Sequence, residues 1–204
     1  MERRTFINIG LAGLGTTLLV ADAASAQFIP KPSTEKWAIL FGTWYGSARD
    51  ASVWISEGMG GIAPAFDIRQ VPADLAGFDH VVIGTAIHGG RGPKDLEDYI
   101  SKNADKLQSK IRGTFVVCGN RGKMPGPQQV TDYVDGYLGK LCKVSGVPGR
   151  AFGGRITQAL MPEAEFKSIQ DMYAKIGGPL GDWDNLNRME CLKFGREIFA
   201  AKKA

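Results

Sequence analysis

Three short apolar runs constrain this chain more than any other feature: Trp37-Ala38-Ile39-Leu40-Phe41, Val81-Val82-Ile83-Gly84 behind Asp79-His80, and Thr114-Phe115-Val116-Val117-Cys118. A strand with one wet face alternates polar and apolar residues, whereas a strand covered on both faces is apolar throughout. Each run is followed by a glycine-bearing loop and then by apolar residues at helical spacing. Ala48, Ala51, Ile55 and Met59 share one face before Gly60-Gly61; Leu96, Ile100, Ala104 and Leu107 share another. Val130, Tyr133, Val134, Tyr137, Leu138 and Leu141 form a third such face after Pro127. Phe66-Asp67-Ile68-Arg69 alternates and predicts an edge strand, and Arg150 to Thr157 predicts a weaker fifth strand softened by Gly153-Gly154. Two helices close the chain, one carrying Phe166, Ile169, Met172, Tyr173 and Ile176, the other running from Asp182 to about Lys202. Repeated βα units without an internal sequence repeat predict a single doubly wound parallel sheet with helices on both faces.

Composition narrows the class further. With 204 residues, 44% hydrophobic and 23% charged, the chain has the make-up of one globular α/β domain, and a net charge of +4 excludes a charge-driven disordered chain. Three cysteines cannot staple so long a chain, and no CxxC or Cys/His zinc spacing occurs. Cys118, Cys142 and Cys191 are expected as buried, inert thiols. No basic run exceeds three residues, so no nucleic-acid partner is expected, and Lys202-Lys203 reads as a solvated helix end.

The N-terminus reads as an address. Arg3-Arg4 starts it, Phe6 to Val20 is its apolar middle, and Ala24-Ser25-Ala26 is a small-residue cleavage site before Gln27. Arg3-Arg4-Thr5-Phe6-Ile7 resembles a twin-arginine export signal. An uncleaved anchor is the alternative, although the apolar stretch is short for a membrane span. Residues 1–26 are thus expected as a signal peptide, 27–36 with Pro30 and Pro32 as a linker, and 37–204 as the domain. Arg3 and Arg4 balance Glu2 and Asp22, so the mature chain keeps +4. A periplasmic or otherwise exported protein is expected, without stable membrane insertion after cleavage.

Ligands of doubly wound sheets bind at the carboxyl ends of the strands, which directs attention to three loops. Gly42-Thr43-Trp44-Tyr45-Gly46-Ser47-Ala48 joins a strand to a helix N-terminus. There Thr43, Tyr45 and Ser47 offer hydroxyls to a phosphate, and Gly46 permits close backbone approach. A plain tight turn with Ser47 capping the helix is the competing reading. Thr85-Ala86-Ile87-His88-Gly89-Gly90-Arg91-Gly92 follows the third strand; His88 lies against a planar ring or faces solvent. Cys118-Gly119-Asn120-Arg121-Gly122-Lys123 opens a loop long enough to wall a pocket. Its Arg121 or Lys123 sits near an anionic ring edge or is simply exposed.

These loops, with the run Asp79 to Gly90, resemble the flavodoxin-like family, and most of all the branch containing menaquinone-dependent protoporphyrinogen oxidase. Asp182-Trp183-Asp184 and Phe194-Gly195-Arg196-Glu197-Ile198 resemble the same branch. The resemblance spans about Trp37 to Ile198. It implies a five-stranded sheet of order 2-1-3-4-5 and a flavin mononucleotide (FMN) site. The phosphate would lie on Thr43, Trp44, Tyr45, Gly46 and Ser47. The ring would lie between Thr85, Ala86, Ile87, His88 and Gly89 on one side and Gly119, Asn120, Arg121 and Gly122 on the other. The flavin carries the chemistry in that family, so no catalytic side chain is expected.

Two departures qualify the resemblance. Ala48 stands where the family's phosphate loop usually ends in Thr, with Ser47 or Arg49 as compensation, and Tyr45 replaces a smaller or acidic residue. The region Pro162 to Gly178 reads as an ordinary amphipathic surface helix rather than the oxidase's basic, apolar insert. The expectation is an exported FMN protein moving electrons to a redox partner protein or a quinone. A flavin-free binding module on the same fold is the alternative, and protoporphyrinogen oxidation proper is disfavoured.

Overall fold

The computed structural model describes residues 34–71 and 75–201. The expected signal peptide, most of the expected linker and the Lys202-Lys203 pair lie outside the described residues. Strand β1 (Trp37–Gly42) leads into helix α1 (Ser47–Gly58), followed by β2 (Ala65–Asp67) and β3 (His80–Ala86). Helix α2 (Lys94–Leu107) and β4 (Ile111–Cys118) come next. Helix α3 comprises Pro127–Gln129, a π-helical Val130–Gly139 and Lys140–Cys142, and leads to β5 (Gly149–Gly153). The remainder is β6 (Arg155–Ile156), α4 (Glu163–Ile176), β7 (Trp183–Asp184) and α5 (Arg188–Ala201).

The five longer strands form one parallel sheet of order β2-β1-β3-β4-β5, the order expected. The register pairs Phe41 with Gly84 and Gly84 with Phe115 across the three central strands. Strand β1 shows why its sequence has no polar position. Trp37 and Ile39 enter the core under α1 and α5, with Ile55, Phe194 and Ile198. Ala38 and Leu40 enter the opposite core under α2 and α3, with Leu96, Ile100 and Leu138. Both faces are dry, so alternation disappears. Gly84 leaves the space that the Phe115 ring fills: a Cβ there would stand 2.0 Å from Phe115 Cζ.

Three expectations are corrected. The fifth strand does not run through to Thr157: β5 ends at Gly153, and after Gly154 the chain pairs β6 with β7 in a separate antiparallel ribbon, Arg155 opposite Asp184 and Ile156 opposite Trp183. A Cβ on Gly153 would stand 2.3 Å from the Asn185 carbonyl, so the crossing chain takes the space beside the strand end. For the same reason the last helix starts at Arg188, not Asp182, because Trp183-Asp184 is consumed by the ribbon. Helix α3 winds as a π-helix over Val130–Gly139, yet Val134 and Leu138 still reach the core, since residues four apart stay close in both windings. Cys118, Cys142 and Cys191 are buried free thiols, as expected, and burial pushes them up to about 11, 12 and 12.

Candidate functional site

The carboxyl ends of β1, β3 and β4 open into a cavity of about 700 Å³. It lies beside the β1–β3 pair, where the strand order reverses, the place at which open α/β sheets bind ligands. All three glycine-bearing loops reach it. Trp44, Tyr45 and Ser47 line it from the first loop, Ala86, Ile87, His88 and Gly89 from the second, and Gly119 and Asn120 from the third. Thr43, Gly46, Thr85, Arg121 and Gly122, also expected in the site, are not part of the lining; Arg121 belongs to the turn Asn120–Gly122.

The first loop is held by its own hydroxyl. Thr43 Oγ1 accepts the Gly46 N–H at 3.0 Å, closing a turn that leaves Gly46 at φ 89° as the N-cap of α1. Ser47 is therefore the first helical residue and not the cap. A left-handed backbone angle at this point is available to glycine at low cost, which is why the loop carries one. Ala48 is fully buried and packs into the core beneath.

The second loop turns back on itself. His88 and Arg91 exchange backbone hydrogen bonds of 2.9 and 3.2 Å, and Gly89 and Gly90 between them have φ 58° and 85°. Two consecutive positive angles define the tight hairpin turn that glycines favour. Tyr137 holds the exit of the loop, accepting from Gly92 N–H at 2.8 Å and donating to Glu97 at 2.7 Å; burial, then this bond, pushes its phenol up to about 12. In the third loop Asn120 Nδ2 donates to the Met124 carbonyl at 2.7 Å, and Asn185 Nδ2 to the Gly122 carbonyl at 2.7 Å. Gly122 has φ 75° and faces Pro179 so closely that a Cβ would stand 2.2 Å away.

Helix α4 is the part of the site that the sequence reading missed. It was expected as an ordinary surface helix, but its inner face, with Glu165, Ile169, Met172, Tyr173 and Ile176, forms a wall of the cavity. The i, i+4, i+7, i+8, i+11 spacing of these residues was the available signal. Glu165 links this wall to two loops at once. Tyr45 donates its hydroxyl to Glu165 Oε2, and His88 Nδ1 stands 3.4 Å from Oε1. Burial and the Glu165 carboxylate together push the Tyr45 phenol up to about 12. Trp44 meets His88 edge-on, with centroids 5.7 Å apart, so the first and second loops touch across the mouth.

Arg155, Ile156 and Trp183, in the β6–β7 ribbon, also line the cavity, as do Gln129 and Tyr133 of α3. Trp183 Nε1 is buried without a hydrogen-bond partner, and its ring stands in a wall with Ile169, Met172 and Tyr173. A Cβ on Gly119 would stand 3.2 Å from the Tyr173 hydroxyl and 3.4 Å from Trp183, so glycine keeps that corner open. The arrangement suits a flat, largely apolar ring with an anionic tail: planar and aliphatic walls on α4 and β7, with Ser47 at the N-terminus of α1 and Arg155 for the tail.

Comparison with known proteins agrees with this geometry. The Flv1 flavodiiron core from Synechocystis sp. PCC6803 superposes with a TM-score of 0.52 at 12% identity, over 83% of this chain and 37% of that one. This chain thus spans little more than a third of that protein. Oxidised flavodoxin 1 from Bacillus cereus gives 0.50 at 17% identity, over 80% of this chain and 97% of that one. The Streptococcus pneumonia TIGR4 flavodoxin gives 0.50 at 15% identity, over 81% and 97%. At these identities the likeness speaks for the fold. No curated protein matches the chain. A family model described as a flavodoxin domain matches residues 38–175, and with the sheet order and the position of the cavity it shows that this chain belongs to the flavodoxin-domain family.

Proposed function

We propose that this chain is an exported FMN-binding protein that transfers electrons. The observation that carries the reading is the cavity itself, built by the loops after β1, β3 and β4 at the point where strand order reverses. The residues fit the group. The Gly46 turn presents the N-terminus of α1 to a phosphate, Ala86 to Gly89 and Gly119 to Asn120 offer backbone to a ring, and the orphaned Trp183 N–H offers a donor to a ring acceptor. The flavin, when bound, supplies the redox chemistry; the protein binds, orients and shields it.

Helix α4 bears on the type of electron transfer. A carrier exposes its cofactor edge to a protein partner, whereas here Met172, Tyr173 and Ile176 stand over the cavity and Glu165 ties the helix to both flanking loops. The half-exposed Met172 and Ile176 give the cavity an apolar rim, which favours a small oxidoreductase acting on a quinone-sized apolar molecule over a protein-to-protein carrier. Arg3-Arg4 and Ala24-Ser25-Ala26 support export. Among the described residues no helix is long and apolar enough to cross a membrane.

The test is the visible spectrum of protein purified from a host with an intact twin-arginine pathway, with identification of the released flavin. Stoichiometric FMN is expected. A folded, colourless protein that also refuses added FMN would replace this reading with a flavin-free binding module on the same fold.

A further inference from the structure

We infer that Arg155, a residue of the β6–β7 ribbon and of none of the three loops, grips the phosphate of the ligand and makes this cavity selective for a phosphomonoester. The inference rests on the flavin reading above and adds to it the side chain that discriminates FMN from riboflavin.

Arg155 lines the cavity with a side chain only 17% exposed. Its Nη2 donates to Asp50 Oδ2 at 2.5 Å, and its Nη1 lies 4.0 Å from Asp184. Its Nε is wholly buried with no hydrogen-bond partner. A guanidinium has five N–H donors in a planar fork, and an unused buried donor is unfavourable unless a ligand completes it. The fork sits at the ligand end of the helix. A Cβ on Gly46 would stand 3.5 Å from Arg155 Nη2 and 3.5 Å from Arg49 Nη2, so the N-cap of α1 lies beside two guanidinium groups, each of which also pairs with Asp50. Helix α1 is 12 residues long, and its N-terminus, capped by Gly46, carries the partial positive charge that favours an anion.

Asp50 explains why an arginine is needed. Its carboxylate lies in the first turn of α1, beside the place where a dianion would bind, and unpaired it would repel that dianion. Arg155 occupies the carboxylate through one amino group and retains donors for the phosphate. A lysine offers one point charge and cannot serve both acceptors in the same way.

The test compares two ligands that share a ring and differ only in the phosphate. Binding of FMN and of riboflavin to the flavin-free protein is followed by quenching of flavin fluorescence. Arg155→Ala should weaken FMN by about tenfold to a hundredfold, the range for charge-assisted hydrogen bonds, and leave riboflavin within about threefold. Arg155→Lys should fall between. Because Arg155→Ala frees Asp50 Oδ2 and leaves the carboxylate to Arg49 alone, at 3.0 Å, Asp50→Asn is the second variant: it should tighten FMN and leave riboflavin unchanged. Equal losses for both ligands in Arg155→Ala, or FMN binding that neither variant alters, would overturn the assignment while the flavin reading stands. Failure of the unmutated protein to bind either ligand would instead remove the flavin reading, and this assignment with it.

Discussion

Replacing Gly58 with alanine tests the seam on which the site-bearing helix rests. Gly58 is the last residue of α1, and a Cβ there would stand 2.1 Å from the Leu192 carbonyl oxygen in α5. The contact is reciprocal, since a Cβ on Gly195 would stand 2.2 Å from the Ile55 carbonyl oxygen. Both obstructing atoms are main chain and cannot rotate away. Restoring a separation of roughly 3.4 Å requires the helices to part by about 1.3 Å, enough to forfeit a large share of each dispersion contact across the seam. Ile55, Cys191 and Phe194 pack there, all buried. Overpacking of this kind costs about 1–3 kcal/mol, while the better helix propensity of alanine returns at most about 1 kcal/mol. With backbone on both sides the cost lies at the upper end, for a net loss of about 2 kcal/mol. In a chain of this size that lowers the thermal midpoint by about 4–8 °C. Circular dichroism melts at one pH measure it, with Val53→Ala on the exposed face of α1 as the control, expected within about 0.5 kcal/mol. A Gly58→Ala midpoint equal to or above that of the unmutated protein would refute the reasoning and mean that the helices pack more loosely.

Three further outcomes follow from the site and the core. Gly46→Leu forces a large side chain into a left-handed backbone angle between Arg49 and Arg155, and should abolish FMN binding in a folded protein; unchanged affinity would refute the phosphate placement. Glu165→Gln should lower the Tyr45 phenol from about 12 toward its ordinary 10.0, read as extra tyrosinate absorbance at pH 11 that disappears in a Tyr45→Phe background. His80, buried against Trp37 at 4.6 Å, is held below the ordinary histidine value of 6.5 by desolvation and by Arg112, against Asp79. Glu35 Oε2, 3.2 Å from its Nε2, does not reverse the direction. A depressed value means the neutral ring favours folding. The stabilisation is complete above pH 6.5 and is lost as pH falls through the depressed value, so urea midpoints should drop on acidification in the unmutated protein and less in His80→Gln.

The amino-acid sequence by itself determined the sheet and the three loops. Runs such as Trp37 to Phe41 carry their burial in their own composition, because a strand dry on both faces has no polar position to place. Gly46, Gly89 and Gly90 mark the turns locally, because a positive backbone angle is a property of one residue and its neighbours. The boundaries that failed lie where distant segments meet. Trp183-Asp184 left the last helix to pair with Arg155-Ile156, a choice made by the partner strand and not by local preference. The charged and polar parts of the cavity are of the same kind. Arg155 is 105 residues from Asp50, and Glu165 is 120 residues from Tyr45. Neither pairing follows a helical or strand period, so no window of sequence contains it. A hydrophobic pattern reports which residues leave water, whereas a polar pair depends on where two chain segments arrive, and only the folded chain decides that.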